Sequence, residues 1–175
     1  MILITSSRRP TQLVRRLCND LNRTIPNSVR VNRGKMSLRE IAIEASSQEA
    51  DRVIIIERET GLPSKILFFT IDKEELVHFN PVINIRGVKT QDQIGHKSRY
   101  LKGVVLTVSS EEENDLLKLA DALSSFLRIK LIHNISELQK YEASLHISKG
   151  KIAMTSPPKM NEIGPVLYLN KVMWQ

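Results

Sequence analysis

The sequence predicts an α/β fold made of two similar α/β halves related by an internal repeat, and three observations carry that prediction. Short apolar runs alternate with stretches whose apolar residues recur at helical spacing. The length of 175 residues suits one ordinary domain or two small halves that share a core. Two strand-to-helix junctions, ILITSSRRPTQLVRRL and VLTVSSEEENDLLKLA, align with Ser7 on Ser110 and with matching apolar positions. Chance similarity between two common βα units is the alternative, and the sequence leaves both open.

The first half is predicted to run from residue 1 to about residue 88. An apolar stripe predicts a helix from residue 11 to about residue 22, and the capping-box spacing of Ser37 and Glu40 predicts the start of another. Strands are predicted at residues 1–5, 29–32, 53–56, 66–71 and 82–85. The strands at 53–56 and 66–71 are predicted to form a hairpin, and a polar connector containing Gly87 and Gly95 is predicted after residue 85.

The second half is predicted to run from about residue 100 to residue 175. A strand at 104–108 precedes a helix from about Glu111 to Leu127, and Ser110 and Glu113 have the spacing of a capping box. A helical turn is predicted at 136–141. Further strands are predicted at residues 129–132, 144–147, 152–154 and 166–169.

The positive charge of the chain is concentrated near its beginning. The net charge is +7, and residues 1–40 contain nine Lys and Arg against two acidic residues. The remaining residues hold 17 basic and 17 acidic side chains, which cancel. Eight of the nine basic residues are Arg, which suits two-pronged contacts with phosphate. The asymmetry favours a polyanionic partner, and a solvated basic face is the alternative.

Arg8 and Arg9 stand just before the first predicted helix, where the helix dipole disfavours a cation by about 0.3–1 kcal/mol. The other junction has Glu111–Glu113 there, as an ordinary helix start prefers. Backbone N–H groups at a helix start attract anions, so the two arginines fit a bound phosphate. Arg33 and Lys35 are predicted to lie in the neighbouring loop.

A wider set of basic residues is predicted to contact RNA. Arg15 and Arg16 extend the surface along the first helix, although only one of two adjacent helical residues faces a given ligand. A less regular basic segment follows residue 82. The full predicted set is Arg8, Arg9, Arg15, Arg16, Arg30, Arg33, Lys35, Arg86, Lys97 and Arg99.

Other classes of function have little support in the sequence. The four histidines are scattered, no phosphate-binding glycine motif occurs, and no acid–base pair stands out, so we expect no catalysis, cofactor or metal. The three tyrosines do not form a base-stacking pattern, which favours recognition of backbone and shape. The absence of an apolar run of about 20 residues and the single cysteine, Cys18, predict a cytoplasmic protein without a membrane span.

Four blocks of the sequence resemble the Brix domain family of ribosome biogenesis proteins. The first two are SSRRPTQLVRRLCNDL and IPNSVRVNRGKMSL. The hairpin ETGLPSKILFFTI is similar to the central segment of the family, and NEIGPVLYLN is similar to its C-terminal motif. The blocks follow the family order over nearly the whole chain. The resemblance is to archaeal single-domain members and to the eukaryotic small-subunit-processome member, and the short chain favours the archaeal type.

The resemblance implies one Brix domain over residues 1–175, each half of which is similar to the anticodon-binding domain of class II aminoacyl-tRNA synthetases. It implies binding to ribosomal RNA or its precursor during assembly, without catalysis by the domain itself. We expect a monomer, with other ribosome assembly proteins as further partners. A nucleolar location is implied if the source is eukaryotic. The basic motif of the family corresponds to Arg8, Arg9, Arg30, Arg33 and Lys35.

Two other functions remain open at this point. In the first, the chain is a protein-binding scaffold of a pre-ribosomal complex in which RNA contact is secondary. In the second, it is a processing ribonuclease, for which the sequence offers no candidate acid–base pair.

Overall fold

A computed structural model describes residues 1–96, 99–110 and 113–175 of the chain. Its helices are α1 (Gln12–Thr24), α2 (Leu38–Ser47), α3 (Gln91–Ile94) and α4 (Asn114–Leu127), with a 3₁₀ helix at Ile135–Lys140. Its strands are β1 (Ile2–Ser6), β2 (Ser28–Arg30), β3 (Arg52–Glu59), β4 (Leu62–Asp72), β5 (Glu75–Lys89), β6 (Val104–Val108), β7 (Ala143–Ser148), β8 (Lys151–Ser156) and β9 (Asn161–Met173). The predicted mixture of helices and strands is confirmed.

All nine strands form one sheet in the order β2-β1-β3-β4-β5-β9-β8-β7-β6. Strand β1 pairs in parallel with β2 and β3, β6 pairs in parallel with β7, and every other pairing is antiparallel. Because of these pairings, β6 and β7 run in the direction opposite to β1 and β3. The carboxyl ends of the two parallel pairs therefore lie on opposite margins of the sheet.

Helices α1 and α4 share one face of the sheet. Val14 and Leu17 of α1 belong to the same buried apolar cluster as Leu119 and Leu123 of α4. Contacts between the halves close this core, because Phe126 of α4 meets Phe68 of β4 with ring centres 5.0 Å apart. The two helices therefore pack on one continuous core.

The opposite face of the sheet, here called the outer face, is covered unevenly. Ile41 and Ala45 of α2 pack there on Leu3 and Ile55 in the first half. In the second half a smaller buried cluster of Val105, Ile132 and Leu138 occupies this face, beneath the 3₁₀ helix.

The two halves pair their strands in corresponding ways. Ser7 N–H donates to the carbonyl of Ile56 at 2.8 Å, and Ser109 N–H donates to the carbonyl of Ile147 at 2.9 Å. The N-cap residues of α1 and α4, Thr11 and Glu113, have the same spacing from these serines. Ser7 therefore corresponds to Ser109, and the predicted alignment on Ser110 is displaced by one residue.

Helix α2 begins as predicted, whereas α4 does not. The Ser37 hydroxyl accepts from the Glu40 backbone N–H at 3.2 Å, and the Glu40 carboxylate accepts from the Ser37 N–H at 2.7 Å. Helix α4 begins at Asn114 after an extended Glu113, so the predicted capping box between Ser110 and Glu113 is wrong. Glu111 and Glu112 lie outside the described residues.

Two predicted strand boundaries are wrong because long-range pairing decides them. Strand β5 continues through Gly87, where a polar connector was expected, because Gly87 pairs with Tyr168 of β9. Strand β9 is likewise longer than the predicted strand at residues 166–169. The predicted strand at 129–132 is reduced to a single bridge between Leu131 and Leu106.

No helix in the described parts of the chain is long and apolar enough to cross a membrane.

Candidate nucleic-acid interface

The carboxyl ends of β2, β1 and β3 meet at one margin of the sheet. Ile4 is in register with Arg30, and Ser6 is in register with Ile56. The loops that leave β1 and β2 therefore start beside the last residues of β3. Helices α1 and α2 lie on opposite faces, and the crevice at such a point is where open α/β sheets bind ligands.

An open depression at this margin is lined by side chains from the loops that follow β1 and β2 and from the end of β3. We call it the arginine crevice, and its residues are Ser7, Arg8, Arg33, Glu57 and Arg58. The Ser7 hydroxyl oxygen is buried and has no hydrogen-bond partner among the described residues. Burial and, second, the charge of Arg8 lower the pKa of Arg33, whereas Glu57 raises it. The crevice thus concentrates positive charge beside an unsatisfied hydroxyl group.

The start of α1 lies beside the crevice and is not capped by a side chain. Thr11 is the N-cap residue, but its hydroxyl donates to the Gly61 carbonyl at 2.7 Å instead of accepting from the helix. The first turn reads QLVR and so holds no acid. The backbone N–H groups of this turn retain the partial positive charge that attracts anions.

Arg9 and Lys35 lie in the loops that flank the crevice. Both side chains are exposed. Arg9 has a left-handed backbone with φ of 53°, a conformation that costs a residue other than glycine about 1 kcal/mol. Such strain is typical of functional loops.

Arg33 and Arg30 are held by hydrogen bonds. Arg33 donates through Nε to the Met36 carbonyl at 3.0 Å. Arg30 donates to the side-chain oxygens of Asn19 at 2.7 Å and Asn32 at 2.9 Å. These partners are neutral, so both guanidinium groups keep their positive charge for a ligand.

Comparison with known proteins identifies relatives of the chain. No protein-family model matches it. It is 32% identical over 136 residues to a "Probable Brix domain-containing ribosomal biogenesis protein" of Pyrococcus horikoshii, a match that covers 75% of this chain and 60% of that protein. A Thermococcus kodakarensis protein of the same name is 34% identical over 98 residues, or 56% of this chain and 47% of that protein. The chain is a homologue of the archaeal Brix domain proteins.

The matched parts span between 47% and 60% of the length of these two Brix domain relatives. The crystal structure of a probable ribosomal biogenesis protein from Aeropyrum pernix is similar with a TM-score of 0.81 at 25% identity, covering 97% of this chain and 95% of that one. The crystal structure of an archaeal Imp4-like protein shares the fold, with a TM-score of 0.65 at 20% identity over 99% of both chains. The predicted resemblance to the Brix domain family is confirmed.

The other predicted contact residues of this Brix domain homologue lie away from the crevice. Arg15 and Arg16 are exposed on α1, and Arg16 lies 3.8 Å from the carboxylate of Asp92 in α3. Arg86 is exposed on β5. Arg99 is exposed near Glu142, whose pKa falls mainly because the Gly103 and Lys102 N–H groups donate to its carboxylate. Lys97 lies outside the described residues.

Sequence reasoning missed Arg58 as a crevice residue. Its position near the end of an apolar strand was visible in the sequence, but only the parallel pairing of β1 and β3 places it beside Arg8. Of the predicted residues, the crevice itself contains Arg8 and Arg33, with Arg9 and Lys35 in the flanking loops.

The side chains that most often serve catalysis or metal binding are dispersed or buried in the described parts of this Brix domain homologue. No group of three or more His, Cys, Asp or Glu that could hold a metal occurs among the residues that the structure describes. Burial raises the pKa of the Cys18 thiol to about 12. Cys18 is therefore a protonated core residue at neutral pH and not a nucleophile.

Proposed function

We propose that the chain is a non-catalytic ribosome biogenesis factor that binds the phosphates of ribosomal RNA, or of its precursor, in the arginine crevice. The observation that carries this proposal is the convergence of Arg8 and Arg33, from the loops after β1 and β2, with Arg58 from the end of β3. The buried, unpartnered Ser7 hydroxyl and the uncapped start of α1 add neutral donors at the same place.

A bound phosphate explains the unfavourable electrostatics of the free crevice. After burial, the charge of Arg8 is the second cause that lowers the pKa of Arg33, because the two positive charges repel each other. Guanidinium groups form short, paired hydrogen bonds with phosphate oxygens, and these remove the repulsion. The names of the archaeal relatives support ribosome biogenesis as the setting.

The finer organisation belongs to the same proposal. We take residues 1 to about 88 and about 100 to 175 as two repeats within a single Brix domain, each similar to the anticodon-binding domain of class II aminoacyl-tRNA synthetases. The corresponding strand pairings of the two halves support this interpretation. We take the protein to act as a cytoplasmic monomer alongside other assembly proteins.

Charge reversal in the crevice tests the proposed RNA contact. We expect the double variant Arg8→Glu, Arg33→Glu to bind ribosomal RNA transcripts at least about a hundredfold more weakly, because two phosphate contacts become repulsive. Filter binding or fluorescence anisotropy at fixed salt measures the loss, and circular dichroism checks the fold.

A matched control is the double variant Lys149→Glu, Lys159→Glu. Both lysines are exposed in the second half, and Lys149 lies at the opposite margin. It carries the same change in net charge and should lose far less affinity. Equal losses in the two double variants would contradict a specific contact in the crevice.

A protein-binding scaffold is the second candidate, and exposed apolar residues on the outer face favour it. Leu38 and Ile43 of α2 are 49% and 44% exposed. Purification from cells with and without nuclease separates the two functions. A partner retained after nuclease treatment supports the scaffold, whereas loss of every partner supports RNA binding.

A further inference from the structure

The second half contains a cleft on the outer face of the sheet. In the first half α2 covers this face, but in the second half the six-residue 3₁₀ helix is its counterpart. A cleft of about 300 Å³ lies between this helix and the strands. We call it the histidine cleft; Thr107, His133, Leu138, His146 and Met160 are among its lining residues.

The floor of the cleft is polar where the first half is apolar. Thr107 is in register with His146, just as Thr5 is in register with Ile55 at the corresponding position. Neighbouring Ser144 is fully buried in the second half, although apolar packing is available elsewhere on this face. Polar side chains in a buried strand face reduce the apolar stabilisation of the fold, so a functional reason is expected.

Hydrogen bonds hold His146 in a defined orientation. Its Nδ1 lies 2.9 Å from the Thr107 hydroxyl, which lies 2.6 Å from the Ser144 hydroxyl. The hydrogen bonds that the structure describes for His146 involve Nδ1 alone, so Nε2 is available to a ligand. Burial and, second, the charge of Lys151 lower the pKa of His146. The ring is therefore neutral at pH 7 and offers one donor and one acceptor.

The lining of the cleft points to an uncharged ligand. Among the described residues that line it, none is Lys, Arg, Asp or Glu, in contrast to the arginine crevice. Ile132, Leu138 and Met160 supply apolar walls, while Asn134 and His146 supply hydrogen-bonding groups. Apolar walls with a few converging polar groups are typical of sites for small organic ligands.

We propose that the histidine cleft holds a single unstacked nucleobase of the bound RNA, between apolar walls and with the base edge toward His146. This inference rests on the proposed RNA-binding function. Proteins that read RNA sequence do so mainly on such unstacked bases, through stacking and hydrogen bonds to their edges. The cleft would then provide base recognition, and the crevice on the other margin would provide phosphate binding.

Titration with uncharged nucleosides tests the cleft directly. Adenosine, guanosine, cytidine and uridine are added separately to the full chain, and NMR follows the His146 ring and the Met160 methyl group. We expect saturable shifts of both signals with at least one nucleoside. The variant Thr107→Val frees the His146 ring while keeping side-chain volume, so the affinity should fall about threefold to tenfold.

Two further variants separate binding from folding. Met160→Ala removes one wall of the cleft and should also weaken nucleoside binding. Thr5→Val removes a hydroxyl at the corresponding position of the first half, where it donates to the Val31 carbonyl, and should leave nucleoside affinity unchanged.

Three outcomes would overturn the inference. They are no saturable shift with any nucleoside, equal affinity in Thr107→Val and the unsubstituted chain, or shifts that require nucleoside monophosphates. Failure of the proposed function gives a different result, because the double variant Arg8→Glu, Arg33→Glu would then bind RNA normally while nucleosides still bind the cleft. If that variant loses RNA binding as expected but no nucleoside binds the chain, the base site in the histidine cleft is rejected and the proposed function stands.

Discussion

The two parallel strand pairs of this protein share one backbone arrangement and differ in their side chains. Ser7 and Ser109 donate equivalent hydrogen bonds, and the helix after each begins at the same distance along the chain. The margin at β1 and β3 bears Arg8, Arg33 and Arg58, whereas the margin at β6 and β7 adjoins an uncharged cleft. Two strand pairs with equivalent backbone hydrogen bonds therefore carry different surface chemistries.

The cover over the outer face of the sheet explains part of this difference. A ten-residue helix packs on the first half and requires apolar residues beneath it, such as Ile55. The shorter 3₁₀ helix leaves room in the second half, so His146 at the corresponding position keeps polar partners. Exchanging the side chains of Ile55 and His146 therefore tests whether the two halves of the outer face differ in packing.

The largest expected effect is that of Ile55→His. Ile55 is 2% exposed beneath α2, and a histidine there loses apolar burial and places an imidazole among apolar side chains. We expect the free energy of unfolding to fall by about 3 kcal/mol. Urea unfolding followed by circular dichroism measures the change.

The reciprocal change, His146→Ile, is the matched control. Thr107 keeps its hydrogen bond to Ser144, so the free energy of unfolding should change by less than about 1 kcal/mol. Similar losses in the free energy of unfolding for both substitutions would show that the outer face is packed alike in the two halves. That result would contradict the difference described above.

Local signals were sufficient for the elements whose determinants lie close together in the sequence. The apolar stripe predicted α1, and the Ser37–Glu40 spacing predicted α2. The GLPS segment predicted the hairpin of β3 and β4, although the turn itself is Thr60–Gly61 and Leu62 already belongs to β4. The charge count singled out Arg8 and Arg33 because both belong to a short, strongly basic segment.

Features that depend on distant pairing were not predictable. The lengths of β5 and β9 follow from their pairing with each other across about 80 residues of chain, and neither segment alone carries that information. Arg58 joins the crevice only because β3 lies beside β1. The histidine cleft combines residues from several separate segments, so no local pattern reveals it.

Asp20 of α1 is expected to have a smaller effect, on the pH dependence of stability. The corresponding position of α4 holds the apolar Ala122. The Asp20 carboxylate accepts from the Gln91 N–H at 2.8 Å and so ties α1 to the start of α3. Burial is the main cause that raises the pKa of Asp20. The folded state therefore binds the proton more tightly than the unfolded state, and this group lowers stability as pH rises above its ordinary pKa.

The variant Asp20→Asn tests this dependence. An asparagine oxygen can still accept from Gln91, but it carries no charge. Between pH 4 and pH 7, we expect the free energy of unfolding to fall less in the variant than in the original chain. Parallel pH profiles for both proteins would contradict this role of the Asp20 carboxyl group.

The smallest expected effect concerns the first turns of α1 and α4. Helix α4 has Asp115 in its first turn, whereas α1 has no acid there. Gln12 is exposed, and Gln12→Glu gives α1 an acid of nearly the same shape. We expect stability to rise by about 0.3–1 kcal/mol and RNA affinity to fall about twofold to fivefold. Thermal unfolding and RNA titration measure the two changes, and a gain in both would contradict the anion site.

The salt dependence of RNA binding tests the central claim most directly, because it counts the phosphate contacts that a chosen set of side chains makes. For single-stranded RNA the binding constant falls with salt with a slope of about −0.7 per phosphate contact on logarithmic axes. We predict that Arg8→Gln, Arg33→Gln, Arg58→Gln together reduce the magnitude of the slope by about 2. We predict no such change for Lys140→Gln, Lys149→Gln, Lys159→Gln, which remove three exposed charges from the second half. Equal slope changes in the two triple variants, or none in the first, would contradict the assignment of phosphate binding to the arginine crevice.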